Sequence, residues 1–128
     1  KPDEMETVAG LYLNRHRKGM KLQSDPTVIY AVSKANNFQG EPIKRVFFKH
    51  LREPSPYNTY FSAGIPPGPI CMVDKNSVDA VLNAQTNDFI YMCADPERLG
   101  FHKFTASAAE HAVNAKKYQD WLNSKNIK

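Results

Sequence analysis

No stretch of this 128-residue chain is apolar for the roughly 18 residues that crossing a bilayer requires, so no membrane span is expected within it. It has no Gly-rich phosphate loop, no HExxH and no GxSxG, which removes support for phosphoryl transfer, zinc proteolysis and the common serine hydrolases. Cysteine is scarce. Cys71 and Cys93 form neither a CxxC nor a metal-ligand spacing, and Cys93 sits in an apolar run where a free buried thiol is the commoner state. Two unpaired cysteines are therefore expected, with a single disulfide as the alternative. The histidines, His16, His50, His102 and His111, are dispersed, so no metal site is expected, although His102 and His111 could meet across the last strand and helix. Internal repeats, low-complexity segments and linkers are also absent.

What is present fits one globular unit: 41% hydrophobic residues over 128 positions can bury a single core, and a single domain spanning 1–128 is expected. The chain begins at Lys1 rather than at methionine, as expected of a piece of a longer protein. Its formal charge is +4, from 17 Lys and Arg against 13 Asp and Glu. That balance attracts nucleic acid, anionic lipid or anionic polysaccharide, but along the whole chain the charges look scattered and no nucleic-acid motif accompanies them. Nucleic acid is not expected as a partner.

The strongest punctuation is Gly19 to Tyr30, GMKLQSDPTVIY. Gly19 follows a basic run, as a left-handed helix cap should, and Asp25-Pro26 reads as an N-cap followed by proline at the first helical position. Before it, residues 3–18 read as an amphipathic helix through Met5, Val8, Ala9, Tyr12, Leu13 and His16, with Asp3, Glu4 and Glu6 at its start and Arg15, Arg17 and Lys18 at its end. His16 is expected as a partly buried structural residue. A second helix covers 26–34, and ANNFQGEP reads as a loop. Residues 43–50, IKRVFFKH, fit an edge strand or a turn of helix, with strand favoured.

Residues 51–70 carry Pro54, Pro56, Pro66, Pro67 and Pro69, so regular structure cannot run through them. Long irregular segments in compact domains are commonly functional when ordered. From Lys75 a helix capped by Asn76 or Ser77 is expected, then a hairpin of 89–94 and 101–104 around an Asp95-Pro96 turn, then a last helix to about Asn123 opened by a Ser107/Glu110 capping box. The fold class is α+β, mostly helical with a small antiparallel sheet.

The polar residues that cluster are Gln23, Ser24 and Asp25 in one loop and Tyr57, Asn58, Thr59 and Tyr60 in another. Aromatic rings can cover the apolar faces of a sugar while amides satisfy hydroxyl and acetamido groups. Capping and loop packing account for the same residues equally well. No carboxylate stands out as a catalyst: Asp25 serves better as a cap, Glu110 is explained by its capping box, and Glu4, Glu6, Glu41, Glu53 and Glu97 lie in polar surroundings.

VAGLYLNRHRKGMKLQSDPTVIY, then SPYNTYFSAGIPPGPI, a VLNA helix, FIYMCAD and HKFTASAAEHAVNAKKY together resemble the catalytic domain of the endolytic murein transglycosylase, or YceG-like, family over nearly the whole chain. The resemblance implies a lysozyme-like domain needing no cofactor. In it one glutamic acid protonates the bond between N-acetylmuramic acid and N-acetylglucosamine and helps the muramyl C6 hydroxyl attack its own C1, leaving a 1,6-anhydromuramyl end. It implies a membrane-anchored parent protein with a LysM-like domain, working on nascent peptidoglycan at the outer face of the cytoplasmic membrane in contact with cell-wall synthesis proteins. The family's catalytic glutamate lies in a Glu-rich stretch upstream of the segment matching Lys1, and neither Glu4 nor Glu6 aligns with it. The fragment is thus expected to be inactive alone, while Gln23, Asp25, Tyr57, Asn58, Thr59 and Tyr60 take a substrate-cleft role.

Two features depart from the family pattern: His16 stands where leucine is general, and KANNFQGEPIKRVFFKHL differs. The alternatives are a non-catalytic peptidoglycan-binding module and the aminodeoxychorismate lyase label the family has carried, for which the chain has neither a phosphate cradle nor a framed Schiff-base lysine.

Overall fold

The computed structural model describes residues 4–127. The elements run α1 (Met5–Arg17), α2 (Asp25–Ala35), α3 (Phe48–Leu51), α4 (Lys75–Leu82), β1 (Tyr91–Ala94), β2 (His102–Thr105) and α5 (Ala108–Ser124). The chain folds as two compact units, one made of the described residues through Asn14 together with those from Asp74 on, the other of Arg15–Val73. Asp3, expected in the first turn of α1, lies outside the described residues. Among the described residues no helix is long and apolar enough to cross a membrane.

In the first unit β1 and β2 form an antiparallel pair, with Tyr91 opposite Thr105 and Ala94 opposite His102. Helix α5 packs on this hairpin: the His111 ring stacks on Tyr91 with centroids 4.8 Å apart, and the Cys93 thiol donates to the Asn114 carbonyl at 3.7 Å. Leu11, Ala9, Ala80 and Leu122 are its buried apolar residues. The segment after α4 lies along α1, where Gln85 N–H donates to Glu6 O at 2.9 Å and Asn14 Nδ2 reaches Asn87 O at 2.8 Å and Phe89 O at 3.0 Å.

His102 and His111, which could have met across β2 and α5, have other partners: the His111 ring stacks on Tyr91 and His102 binds Glu4. The backbone N–H of His102 donates to Glu4 Oε2 at 2.9 Å and its Nδ1 lies 3.0 Å from Glu4 Oε1. An ionised carboxylate only accepts, so Nδ1 carries the proton in that contact. Burial disfavours the Glu4 charge, but the His102 backbone bond, side-chain bond and positive charge outweigh it and hold the carboxyl below its ordinary value of 4.5. A carboxyl whose folded pKa is lowered stabilises the fold fully above its unfolded pKa and loses that contribution as pH falls through the folded value. Glu4→Gln should therefore lower Tm at neutral pH, and the gap to the parent chain should close as the buffer is taken below pH 4.5. Thermal melts of both chains across the acid range read this directly.

Several local expectations need correction. Residues 43–50 are not a strand: 43–47 are irregular and α3 begins at Phe48. A strand needs a partner ladder, and here His50 Nδ1 instead accepts the Phe47 N–H at 2.9 Å, closing the chain into a local turn. His16 is exposed rather than half-buried. Helix α4 is capped by Asp74, whose Oδ1 accepts the Ser77 N–H at 2.8 Å, rather than by Asn76 or Ser77. The Ser107/Glu110 box is half made: Ser107 Oγ accepts the Glu110 N–H, but the Ser107 N–H goes to Thr105 Oγ1, and Glu110 accepts from that same hydroxyl. As expected, no disulfide joins Cys71 and Cys93.

Candidate functional site

The second unit is built around the turn that leaves α1. Gly19, at φ 72°, ends the helix in a Schellman arrangement, with its N–H on His16 O at 3.1 Å and the Met20 N–H on Arg15 O at 2.9 Å. Gln23 is also left-handed, at φ 50°, a conformation that costs a non-glycine residue energy and must be held by its surroundings. Two contacts hold it: its N–H donates to Thr59 O at 3.2 Å, and Arg15 Nη2 donates to its Oε1 at 3.1 Å. Arg15 also donates through Nε to Lys21 O at 2.8 Å and is only 5% exposed, so its guanidinium is an internal brace for the turn.

Ser24, not Asp25, occupies the N-cap position of α2, and its side chain makes no cap bond. Asp25 is instead the first residue of the helix, and its Oδ1 accepts the Tyr60 hydroxyl at 2.7 Å. The Ser24 N–H is satisfied by Thr59 Oγ1 at 2.9 Å, while Thr27 Oγ1 donates to Ser24 O at 2.6 Å. The two threonine hydroxyls are 2.7 Å apart. Because the Thr27 proton is committed to Ser24 O, Thr59 must donate to Thr27, which fixes every proton of the ring.

Asn58 carries the other loop. It is 0% exposed, and its Nδ2 donates to Leu51 O at 3.0 Å and Glu53 O at 2.9 Å, while Oδ1 accepts the N–H groups of Tyr60 at 2.9 Å and Phe61 at 3.3 Å. Thr59, at 1% exposed, is equally enclosed. Apart from Val28 and Ala31, the side chains most buried in this unit are polar: Arg15, Thr27, Asn58 and Thr59. Such a network, once satisfied, permits one loop arrangement and penalises any other.

The six residues singled out from sequence thus fall into two groups. Asn58 and Thr59 are interior, with their hydrogen bonds used inside the protein. Gln23 and Asp25 are exposed and Tyr57 and Tyr60 half-buried, so these four present groups to solvent. Among the described residues the amide N–H groups of Gln23 and the second carboxylate oxygen of Asp25 make no hydrogen bond. The acceptor, on Asp25, stands at the Tyr60 hydroxyl and the donor, on Gln23, lies two residues before it in the chain, group types that suit a hydroxyl and an acetamido group.

Tyr57 stands apart from that pair. Its ring packs on Tyr30, 5.0 Å between centroids, under the Lys34 ammonium at 4.6 Å, and it borders a cavity of about 240 Å³ lined also by Ala31, Glu53 and Pro54. None of Gln23, Asp25 or Tyr60 lines that cavity.

Arg15 and Thr27 were not foreseen. Nothing local separates Arg15 from Arg17 and Lys18, since all three read as cations at a helix end, and Thr27 reads as an ordinary first-turn residue. No group of three or more His, Cys, Asp or Glu residues able to hold a metal occurs among the described residues.

These features define the class: an α+β protein with a small antiparallel hairpin and an ordered, proline-rich loop fixed to a helix-turn-helix by a buried polar network. The YceG-like family matches residues 1–117, and the chain belongs to that family. It is 38% identical over 121 residues to an endolytic murein transglycosylase of Bacillus subtilis, which takes in 94% of this chain and 30% of that one. It is 28% identical over 95 residues to an endolytic murein transglycosylase of Streptococcus pneumoniae, 74% of this chain and 17% of the other. The crystal structure of a yceG-like protein from Listeria monocytogenes superposes with a TM-score of 0.68 at 36% identity, over 83% of this chain and 31% of that one. The chain thus spans under a third of the length of these relatives.

Proposed function

We infer that the protein to which this chain belongs is a lytic transglycosylase of peptidoglycan, cutting between N-acetylmuramic acid and N-acetylglucosamine to leave 1,6-anhydromuramyl ends at the cell envelope. The relatives named endolytic murein transglycosylase support the substrate class. The observation that carries the assignment of a site is the locked turn at Gln23 and Asp25, where a strained backbone and four buried polar side chains are spent on presenting an open carboxylate at Tyr60 and, two residues before that carboxylate, an open amide. In this reading Gln23, Asp25, Tyr57 and Tyr60 face the glycan, and Asn58 and Thr59 are positioning residues that fix where those four stand.

The general acid comes from outside residues 1–128. A carboxyl acting as acid near neutral pH needs a raised pKa in a partly apolar site. Glu4 is held in the opposite direction by His102, and Asp25 accepts the Tyr60 proton in an exposed position. These 128 residues alone should bind glycan strands without cutting them.

The test is purified murein incubated with the chain extended upstream and, separately, with the 128-residue chain, each digest scored for anhydromuramyl ends. Ends from the longer chain only are expected. Binding by the longer chain without any ends would replace the enzyme with a peptidoglycan-binding module. In the extended chain Gln23→Ala and Tyr60→Phe should each lower kcat/KM about tenfold, and Gln23→Ala should also lower Tm, because it removes the Oε1 that accepts from the buried Arg15 guanidinium.

A further inference from the structure

The charges that look scattered along the whole chain have one exception. Residues 42–52, PIKRVFFKHLR, hold Lys44, Arg45, Lys49 and Arg52 with no acid among them, a local charge equal to the +4 of the entire chain. The thirteen other basic residues are balanced by the thirteen acidic ones. The structure puts two aromatic rings in the middle of this cluster and leaves them in solvent: Phe48 is 83% exposed and Phe47 41%. Lys44, Lys49 and Arg52 are exposed around them, and the Arg45 guanidinium lies over the Phe47 ring at 5.2 Å. The turn is held in shape by the Phe47 N–H on His50 Nδ1 and by the Asn58 bond to Leu51 O.

We propose that this turn is a membrane-surface contact, in which Phe47 and Phe48 enter the headgroup region of an anionic bilayer while Lys44, Arg45, Lys49 and Arg52 pair with its phosphates. The side-chain inventory selects that partner. Residues 42–52 contain no Ser, Thr, Asn, Gln, Tyr, Asp or Glu, and His50 has its Nδ1 taken by the Phe47 N–H, so the turn has no amide, hydroxyl or carboxylate side chain with which to read a sugar. Exposed apolar rings encircled by long cations are what an interface of acyl chains and phosphates accepts, with the rings buried to the headgroup boundary and the cations held at the phosphate plane. Single-stranded nucleic acid stacks successive bases on successive aromatic faces, and with the face of Phe47 covered by Arg45 only Phe48 is left for that.

The measurement is sedimentation of the purified chain with vesicles rich in phosphatidylglycerol, against vesicles of phosphatidylcholine alone. Binding to the anionic vesicles only, weakening with salt, is expected. Phe48→Ser should weaken it about tenfold, as the loss of one buried ring implies, and Lys44→Gln and Lys49→Gln about fivefold each. These side chains stand in solvent, so Tm should hold in every variant, and the lysine variants keep the test sound should a phenylalanine variant melt early. Equal binding to both vesicle types, no binding to either, or binding that survives Phe47→Ser/Phe48→Ser overturns the proposal. So does displacement of the vesicles by an oligonucleotide that the phenylalanine variants bind as well as the parent chain does.

Discussion

Asn58→Ala should cost about 3 kcal/mol of stability, enough to lower Tm by on the order of 10 °C in a chain of this length. The side chain is fully enclosed and bonds two carbonyl oxygens and two N–H groups, so its removal takes a partner from Leu51, Glu53, Tyr60 and Phe61 at once, of which the Phe61 N–H keeps its bond to Asn58 O at 3.1 Å. An unsatisfied buried group costs about 1–3 kcal/mol, and several of these would recover part of that by admitting water. Asn58→Asp should not rescue the fold. It keeps an acceptor for Tyr60 and Phe61 but turns the donor that served Leu51 and Glu53 into a second acceptor, and it buries a charge. Urea unfolding of the three chains measures the loss. A cost below about 1 kcal/mol for Asn58→Ala would mean that the loop is held by something other than this amide.

Gly10→Ala should destabilise the chain by a similar amount, against the direction that helix propensity alone gives. Alanine in a helix interior is favoured over glycine by about 1 kcal/mol. At Gly10 the added methyl group would fall well inside van der Waals contact distance of the Gln85 carbonyl oxygen and stand 2.9 Å from Asn87 Nδ2. The carbonyl is backbone and is held in place, since Gln85 N–H is bonded to Glu6 O and Asn14 grips Asn87 and Phe89. Overpacking of this kind costs about 1–3 kcal/mol and more where the neighbour cannot yield, so the clash wins. Gly19→Ala is the contrast: nothing lies within 4 Å of its added Cβ, and only the left-handed φ of 72° opposes it, a penalty of about 1–2 kcal/mol. Denaturation midpoints that rank Gly19→Ala as the costlier change would refute the packing argument.

The two glycines also show how far sequence reading reaches. Gly19 was legible, because a glycine after a basic helix end has a local meaning, and the Schellman bonds appear where that meaning puts them. Gly10 was not, because its reason is a carbonyl 75 residues away in the sequence. The same division runs through the candidate site. Gln23, Asp25 and the Tyr57 to Tyr60 loop stand out as clustered polar residues without a periodic role. That Asn58 and Thr59 point inward while Gln23 and Asp25 point outward depends on which atoms the other loop supplies. The misassigned caps have a related cause. Asp25, Asn76 and Ser77 are all competent capping residues, and the choice of Ser24 and Asp74 for the cap positions was made by where each helix could begin, which for α2 is set by Thr59 and Tyr60.

What the sequence determined by itself is the α+β class, the order of helices and hairpin, the two free cysteines as the favoured state and the family, since these follow from periodicity, turn chemistry and motifs written in consecutive residues. What only the tertiary structure decided is the wiring. Arg15 became an internal brace, Glu4 was tied to His102 across 98 positions, and residues 43–50 became a cationic turn with exposed phenylalanines instead of a strand. The physical reason is common to all three. A hydrogen bond, an ion pair or a strand ladder needs a second group, and when that group arrives from elsewhere in the chain, local spacing carries no record of it.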